Sequence, residues 1–427
     1  MFLNQMVKSR FNTFGWAFAD QALVSGMNLL TGLLLARFLG PQQFGLFSMA
    51  WVFVLLSNSV QVAMITSPMM NIGPKQSDED SPRYYGSVFV LQAILGVIFF
   101  IILLIGIKVG GVFKPDLAVD RFIYALPFAA IFFQVQDFLR RYFFTIGKPF
   151  AAFISDLVSY CGQVVTILIL FKLFKFDVTV ALWVCGVTSL LGIIAAIPFF
   201  GSISFGIKGL KDIAERHWQF SKWLVGSAAL AWTTGNTLLI TAAAVLGAAS
   251  VGYLRAAQNL FAVTQVVFLA LNNVLPRQAA SRFHHGGRNS LIRYLKKSAW
   301  VCFLFTFPVV VILAVAPEFW LSLVYGQQFT GYGYIFKWLA LSYLLTSLTL
   351  PLQVGLGAIE FTHPFFWTSM TTAFISLALS VPLVNALGLY GVLFGMIFNQ
   401  VIAGTILLYL LWVKLKSISP NLPINNK

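Results

Sequence analysis

The sequence predicts an all-α polytopic membrane protein, about 12 transmembrane helices in two six-helix bundles. Three observations predict it. Only 10% of the 427 residues are charged, 59% are hydrophobic and the mean hydropathy is +0.85. Soluble chains carry about 25% charged and 45–50% apolar residues. Apolar runs long enough to span a bilayer recur along the whole chain, and one segment recurs at an offset of 207 residues.

A spanning helix needs about 20 mostly apolar residues, because hydrocarbon offers the backbone no hydrogen-bond partner. Twelve such runs fall near 17–38, 46–65, 87–107, 122–139, 150–171, 178–200, 223–246, 254–275, 299–316, 335–357, 365–385 and 389–413. A barrel is excluded by the lack of period-2 alternation. Phe361 to Val413 contains no Asp, Glu, Lys or Arg, room for two helices around the turn at Asn385–Gly388. Lys8 and Arg10 precede an apolar run, and Ala17-Phe18-Ala19 has the form of a cleavage site, but Phe11–Trp16 is too short for a signal core. An uncleaved first helix is expected.

The net charge is +15. In a membrane protein that excess reads as basic cytoplasmic loops against anionic lipid, not as a nucleic-acid surface. With the N-terminus inside, inside segments hold 20 of the 28 Lys and Arg. Both termini are therefore expected in the cytoplasm. Arg37, Lys108, Lys114, Arg121, Lys172, Lys175, Arg255 and Lys337 fall outside or at its flanks. Cys161, Cys185 and Cys302 sit in apolar runs and suit neither a metal site nor a disulfide. His284-His285 lacks other ligand-type neighbours, so no metal is expected.

Leu39-Gly40-Pro41-Gln42-Gln43-Phe44-Gly45 and Leu246-Gly247-Ala248-Ala249-Ser250-Val251-Gly252 read as one motif used twice. Lys148-Pro149-Phe150 and His363-Pro364-Phe365 echo each other between helices 4–5 and 10–11. A duplication follows: an N-terminal bundle over 1–200, a cytoplasmic interfacial linker helix over 201–222, a C-terminal bundle over 223–413 and a cytoplasmic tail over 414–427. In the linker, Ile207, Leu210, Ala214 and Trp218 share a face, with Lys208, Lys211, Asp212, Glu215, Arg216 and Lys222 elsewhere. Two such halves are the build of an alternating-access transporter.

Ala36-Arg37-Phe38-Leu39-Gly40-Pro41-Gln42-Gln43-Phe44-Gly45 resembles the opening signature of polysaccharide-biosynthesis flippases, the Wzx-type O-antigen and exopolysaccharide transporters. Leu246–Tyr253 with Ala256-Ala257-Gln258, Pro276-Arg277, and Tyr325-Gly326-Gln327-Gln328-Phe329 are similar to later elements of that family. The resemblance implies the multidrug/oligosaccharidyl-lipid/polysaccharide superfamily, with two bundles forming a V-shaped cleft. It implies a polyprenyl-diphosphate-linked oligosaccharide as cargo, and a polysaccharide polymerase and chain-length machinery as partners besides membrane lipids. No cofactor is implied beyond a coupled H+ or Na+.

The polar residues inside spans are the candidates for transport, since an intramembrane ionisable group is costly. Asp20 and Asp156 are candidate ion-coupling carboxylates. The competing structural partners are Lys8 and Arg10 for Asp20, and Arg140 and Arg141 for Asp156; Asp137 reads as a structural ion pair beside those arginines. Arg255, Gln258, Asn259 and Gln265 form a polar stripe on one helix face, where Arg255 suits bidentate phosphate binding. Asn272 and Asn273 end that stripe. Asn58, Gln61, Asn236, Arg37, Asn399 and Gln400 are further substrate-binding candidates, each with a plain interhelical hydrogen bond as its rival. The basic segment 277–298 suits either a diphosphate or anionic lipid. No catalytic residue is expected: no extramembrane segment exceeds about 25 residues, and nothing resembles a nucleotide loop or a nucleophile constellation. A multidrug or cation antiporter of the same superfamily is the main rival, and a membrane polymerase or ligase the weaker one.

Overall fold

The computed structural model describes residues 2–113, 122–206, 209–361 and 363–418, and among them every regular element is helical. Lys114, Arg121, Ile207, Lys208, residues 419–427 of the tail, and the side chains of Lys8, Arg10, Asn272 and Asn273 lie outside the described residues. The principal helices are α1 (Phe2–Gln61), α2 (Ser67–Ile72), α3 (Ser81–Phe113), α4 (Ala125–Thr145), α5 (Pro149–Asp156), α6 (Gly162–Leu173) and α7 (Val178–Ala196). They continue as α8 (Leu210–Leu246), α9 (Ala248–Val315), α10 (Pro317–Tyr325), α11 (Tyr334–Ala358), α12 (His363–Leu387) and α13 (Leu389–Lys416).

Two of these are each a pair of helices. The 60-residue α1 bends at Gly40 (φ 69°, ψ 174°), just before Pro41, and the 68-residue α9 bends at Gly287 (φ 60°, ψ −159°). At 1.5 Å per residue either would be about three bilayer cores long if straight. Only glycine adopts those angles cheaply. Nine described helices are long and apolar enough to cross a membrane, one of them the bent segment Gly15–Lys75. The helix α4 is not among the nine, because Asp137, Arg140 and Arg141 interrupt its apolar face. With α4, the two arms of α1 and the first arm of α9, the helices occupy all 12 expected spans.

Short π-helical turns interrupt two of the spans: Val62–Thr66 directly after Gln61, and Leu157–Cys161 directly after Asp156.

The chain divides into two compact units, Met1–Leu39 with Leu46–Ala229, and Gly40–Gly45 with Leu230–Lys427. In the first, α4 packs on α3, α5 and α7. Its core gathers Met69, Tyr84, Tyr85, Phe138, Leu139, Tyr142 and Phe143. In the second, α9, α11 and α13 pack together and α12 lies on α13, around Phe283, Leu291, Leu295, Leu356 and Leu411.

Two segments between the expected spans are helical, and the linker helix expected over 201–222 starts later and runs further. Segment 277–298 forms the two helical arms that meet at Gly287: Ala279, Phe283, Leu291 and Leu295 bury their side chains, while Arg277, Arg282, Arg293, Lys296 and Lys297 stay exposed. The outer loop 317–334 contains α10, and Glu318 accepts the backbone N–H groups of Gly331 (2.8 Å) and Gly333 (2.8 Å). The linker runs unbroken from Leu210 into the seventh span as α8. Its start is fixed to the first unit by His217, buried against Tyr84 with Nε2 2.9 Å from Oη.

The repeat is present in the backbone. Gly247 (φ 88°, ψ 166°) stands 207 residues after Gly40 and shares its conformation. The two motifs also touch reciprocally. A Cβ on Gly45 would strike the carbonyl oxygen of Ala248, and a Cβ on Gly252 would strike that of Pro41. Gly45 and Gly252 are repeat equivalents, as are Pro41 and Ala248, so one contact occurs twice.

Candidate functional site

The first unit contains a buried charge cluster. Asp20 on α1 and Asp156 at the end of α5 are 0% and 1% exposed. Arg140 of α4 joins them. Its Nη2 and Nε donate to Asp20 Oδ2 at 2.7 and 3.0 Å, and Nε lies 2.9 Å from Asp156 Oδ2. Gln136 donates Nε2 to Asp156 Oδ1 (3.0 Å) and accepts from Ser159 Oγ on the adjoining π turn (2.9 Å). Gln21 accepts a further bond from Arg140 (3.2 Å), and the Phe144 ring lies 5.8 Å from the guanidinium. Asp20 Oδ1 has no hydrogen-bond partner among the described residues.

Helical geometry makes this cluster possible. Gln136 and Arg140 are one turn apart on α4 and share a face. Asp137 turns to a neighbouring face and takes Arg141 instead, at 2.8 Å. So Arg140, one of the two arginines considered for Asp156, serves both carboxylates and replaces Lys8 and Arg10 as the partner of Asp20. Two carboxylates against one guanidinium leave a net charge of −1 when all three are ionised. One proton or one monovalent cation would neutralise it. Gln61 lies beside this cluster's helix, donating to the carbonyl of Gln134 (3.3 Å), and is fully buried.

The second unit contains the complementary charge. Arg255, near the start of α9, donates to Asn236 Oδ1 on α8 (3.3 Å) and to Gln258 Oε1 (3.2 Å). Tyr343 of α11 faces it and is hydrogen-bonded by Gln265. Among the described residues no carboxylate pairs with Arg255. The structure thus brings Arg255, Gln258, Gln265 and Asn236 into one network through Tyr343. Asn259 is half-buried on the same helix. Asn58 is half-buried on the second arm of α1, and Arg37 is exposed at the end of its first arm. Asn399 and Gln400 make interhelical bonds, to Ser376 Oγ (2.6 Å) and Thr349 Oγ1 (3.0 Å). Sequence reasoning missed Arg140 as the centre of the first cluster, and with it Gln136 and Ser159. The Gln136–Arg140 spacing on an apolar helix was the available signal.

A multi-pass helical protein with ionisable and amide groups buried inside its bundles has the build of a membrane transporter. The chain belongs to the polysaccharide biosynthesis protein family, whose model matches residues 12–280. No curated protein matches it in sequence. Solved structures share its fold. An inward-facing multidrug-resistance MATE-family transporter of the MOP superfamily aligns with TM-score 0.77 and 14% identity, covering 94% of this chain and 98% of its own. An outward-facing MATE-family transporter aligns with TM-score 0.62 and 15% identity, covering 96% of each chain. A MOP-superfamily transporter from Pyrococcus furiosus, described as having a binding pocket of reversed polarity, aligns with TM-score 0.58 and 14% identity over 96% of each chain. Family and fold together point to a transporter of that superfamily.

Proposed function

We propose that this protein is a flippase that carries a polyprenyl-diphosphate-linked oligosaccharide from the cytoplasmic to the outer leaflet of a bacterial inner membrane, by alternating access and with both termini in the cytoplasm. The observation that carries the reading is Arg255. A half-buried guanidinium surrounded by Asn236, Gln258 and Tyr343, with no acidic partner among the described residues, suits an anion that arrives with the substrate. A diphosphate supplies paired oxygens matched to its fork. The membrane-embedded polar groups serve the head; the polyprenyl tail stays in lipid. A hydroxyl entering hydrocarbon unpartnered costs roughly 4–8 kcal/mol, so an oligosaccharide head cannot cross unaided. Polysaccharide polymerase and chain-length machinery are the partners that would take the product.

The test is flipping in proteoliposomes. Arg255→Gln should slow translocation of the diphosphate-linked lipid at least about 30-fold, since truncating one side of a buried charged contact costs about 2–5 kcal/mol. Arg255→Lys should retain part of the rate, keeping charge and losing the fork. An Arg255→Gln protein that flips at the wild-type rate removes Arg255 from the site. If instead the wild type exchanges organic cations for protons and leaves the lipid untouched, it is an antiporter.

For energy coupling we propose the Asp20–Arg140–Asp156 cluster as the H+ or Na+ site, because its net charge of −1 calls for one cation. One charge crossing the membrane potential gains roughly 2.3 kcal/mol per 100 mV, a factor of about fifty in leaflet distribution. Asp20→Asn and Asp156→Asn should each remove the dependence of flipping on an imposed pH or sodium gradient. A wild type that equilibrates the lipid at full rate without any gradient, matched by both variants, would make the cluster structural and the protein a passive facilitator.

A further inference from the structure

The second unit holds a cavity of about 480 Å³, within the usual range of small-molecule pockets, about 300–1,000 Å³. Gln353 of α11, Thr368, Ser369 and Thr372 of α12, and Phe365 line it, and none of its lining residues is charged. It is separate from the Arg255 network, which shares no residue with it. Its polar wall belongs to a longer seam. Thr368, Thr372, Ser376 and Ser380 recur every fourth residue along α12, and all are buried.

Most of that seam is satisfied. Thr372 Oγ1 reaches the carbonyl of Thr368 (3.0 Å) and lies 3.3 Å from Thr234 Oγ1, and Ser376 Oγ accepts from Asn399. A threonine buried in a membrane helix ordinarily turns its hydroxyl onto a carbonyl three or four residues back. Thr264 and Thr306 do this as Thr372 does. Thr368 does not: at 6% exposure, its Oγ1 has no hydrogen-bond partner among the described residues. Asn399 Oδ1, deeper along the seam, is also unpartnered there. Buried polar atoms are almost always paired, so a lone hydroxyl on a cavity wall marks the place of a bond that something else completes.

The chemistry of the wall selects the partner. Hydroxyls and one carboxamide, set among the apolar Phe365, Val354, Ala403 and Leu407, match a molecule with many hydroxyls and apolar ring faces. A charged ligand would lose its water here and meet no counter-charge, because none of the lining residues is charged. We propose that this cavity is a sugar subsite: it takes one uncharged pyranose of the lipid-linked oligosaccharide, with Thr368 Oγ1 bonding a ring hydroxyl and Phe365 forming an apolar wall. This deepens the flippase reading and depends on it. It separates head recognition into an anion contact at Arg255 and a neutral-sugar contact on α12, so that cargo bearing an uncharged sugar is preferred over cargo bearing a uronic acid.

Purified protein in nanodiscs would be titrated with three probes: a polyprenyl diphosphate, the same lipid bearing N-acetylglucosamine, and the same lipid bearing glucuronic acid. The wild type should bind the neutral glycolipid at least tenfold tighter than either other probe. Thr368→Val, which keeps shape and removes only the hydroxyl, should erase that preference while leaving the sugarless affinity unchanged. Thr368→Ser should keep the preference. Without ligand, Thr368→Val should unfold at the same or a higher temperature, since it removes an unpaired polar atom; a hydroxyl with a structural task would give a lower one. Equal wild-type affinity for the sugar-bearing and sugarless lipids overturns the subsite and leaves the flippase reading standing. So does a Thr368→Val protein that keeps the preference, or one in which affinity for all three probes falls together with the unfolding temperature. Failure of all three probes to bind the wild type overturns both.

Discussion

Arg140→Gln should destabilise the protein by about 3–5 kcal/mol and stop transport, the largest effect expected of any single substitution in the first unit. It would leave two carboxylates, 0% and 1% exposed, facing each other without their shared counter-charge. Removing one partner from a buried ionic group costs that much because the remaining charge keeps its desolvation penalty and loses its compensation. Arg140→Lys should fall between, keeping the charge but unable to reach Asp20 Oδ2 through two nitrogens as the guanidinium does. The check is thermal unfolding of purified protein, with Asp156→Asn added to Arg140→Gln. Removing one of the two stranded carboxylates should recover part of the loss. An Arg140→Gln protein as stable as wild type would show that protons or a bound cation neutralise the pair without the guanidinium.

Gly45→Ala and Gly252→Ala should each cost about 1–3 kcal/mol, the range for forcing a methyl group into a packed site. Each new Cβ would strike a backbone carbonyl, of Ala248 in one case and Pro41 in the other, and a backbone atom cannot rotate away as a side-chain tip can. Because the two contacts are one motif pair used reciprocally, the double variant should cost clearly less than the sum of the singles: once the first methyl group has opened the contact, the second meets less resistance. Unfolding temperatures of the two singles and the double form the test, a double-mutant cycle. Strict additivity would mean that the two glycines sit in independent packing sites.

The spans were legible because a hydropathic run is a local property, and α11, α12 and α13 show it. The limits of those runs were less so. Composition ended the fourth span at 139, since Arg140 and Arg141 look like the edge of a membrane. The helix continues to Thr145 because both arginines are paired, Arg140 with carboxylates from α1 and α5 and Arg141 with Asp137 one turn back. Asp20 and Asp156 stood out by charge alone, but Arg140 is 120 residues from Asp20 in sequence, and no local pattern reports such a contact. The arms of 277–298 could have been read as helix from Ala279 with Phe283 and Leu291 with Leu295, whose four-residue spacing is amphipathic. The basic residues between them drew the segment to a loop instead. The four-residue spacing of Thr368, Thr372, Ser376 and Ser380 is likewise in the sequence; the cavity beside it is not, because empty space depends on four helices at once.

The π turn at Leu157–Cys161 has a consequence for descent. Such a turn holds one residue more than the α-helix it interrupts, and each helical residue advances the face by about 100°. A relative with an unbroken helix here would present the same faces along Gly162–Leu173 only if its numbering slipped by one just beyond Asp156. Ancestral gain or loss of that single residue would fall inside a membrane span, where alignments rarely admit a gap. Without that gap, kinship downstream of Asp156 would be undercounted, although Asp156 itself, on the near side of the slip, would still match.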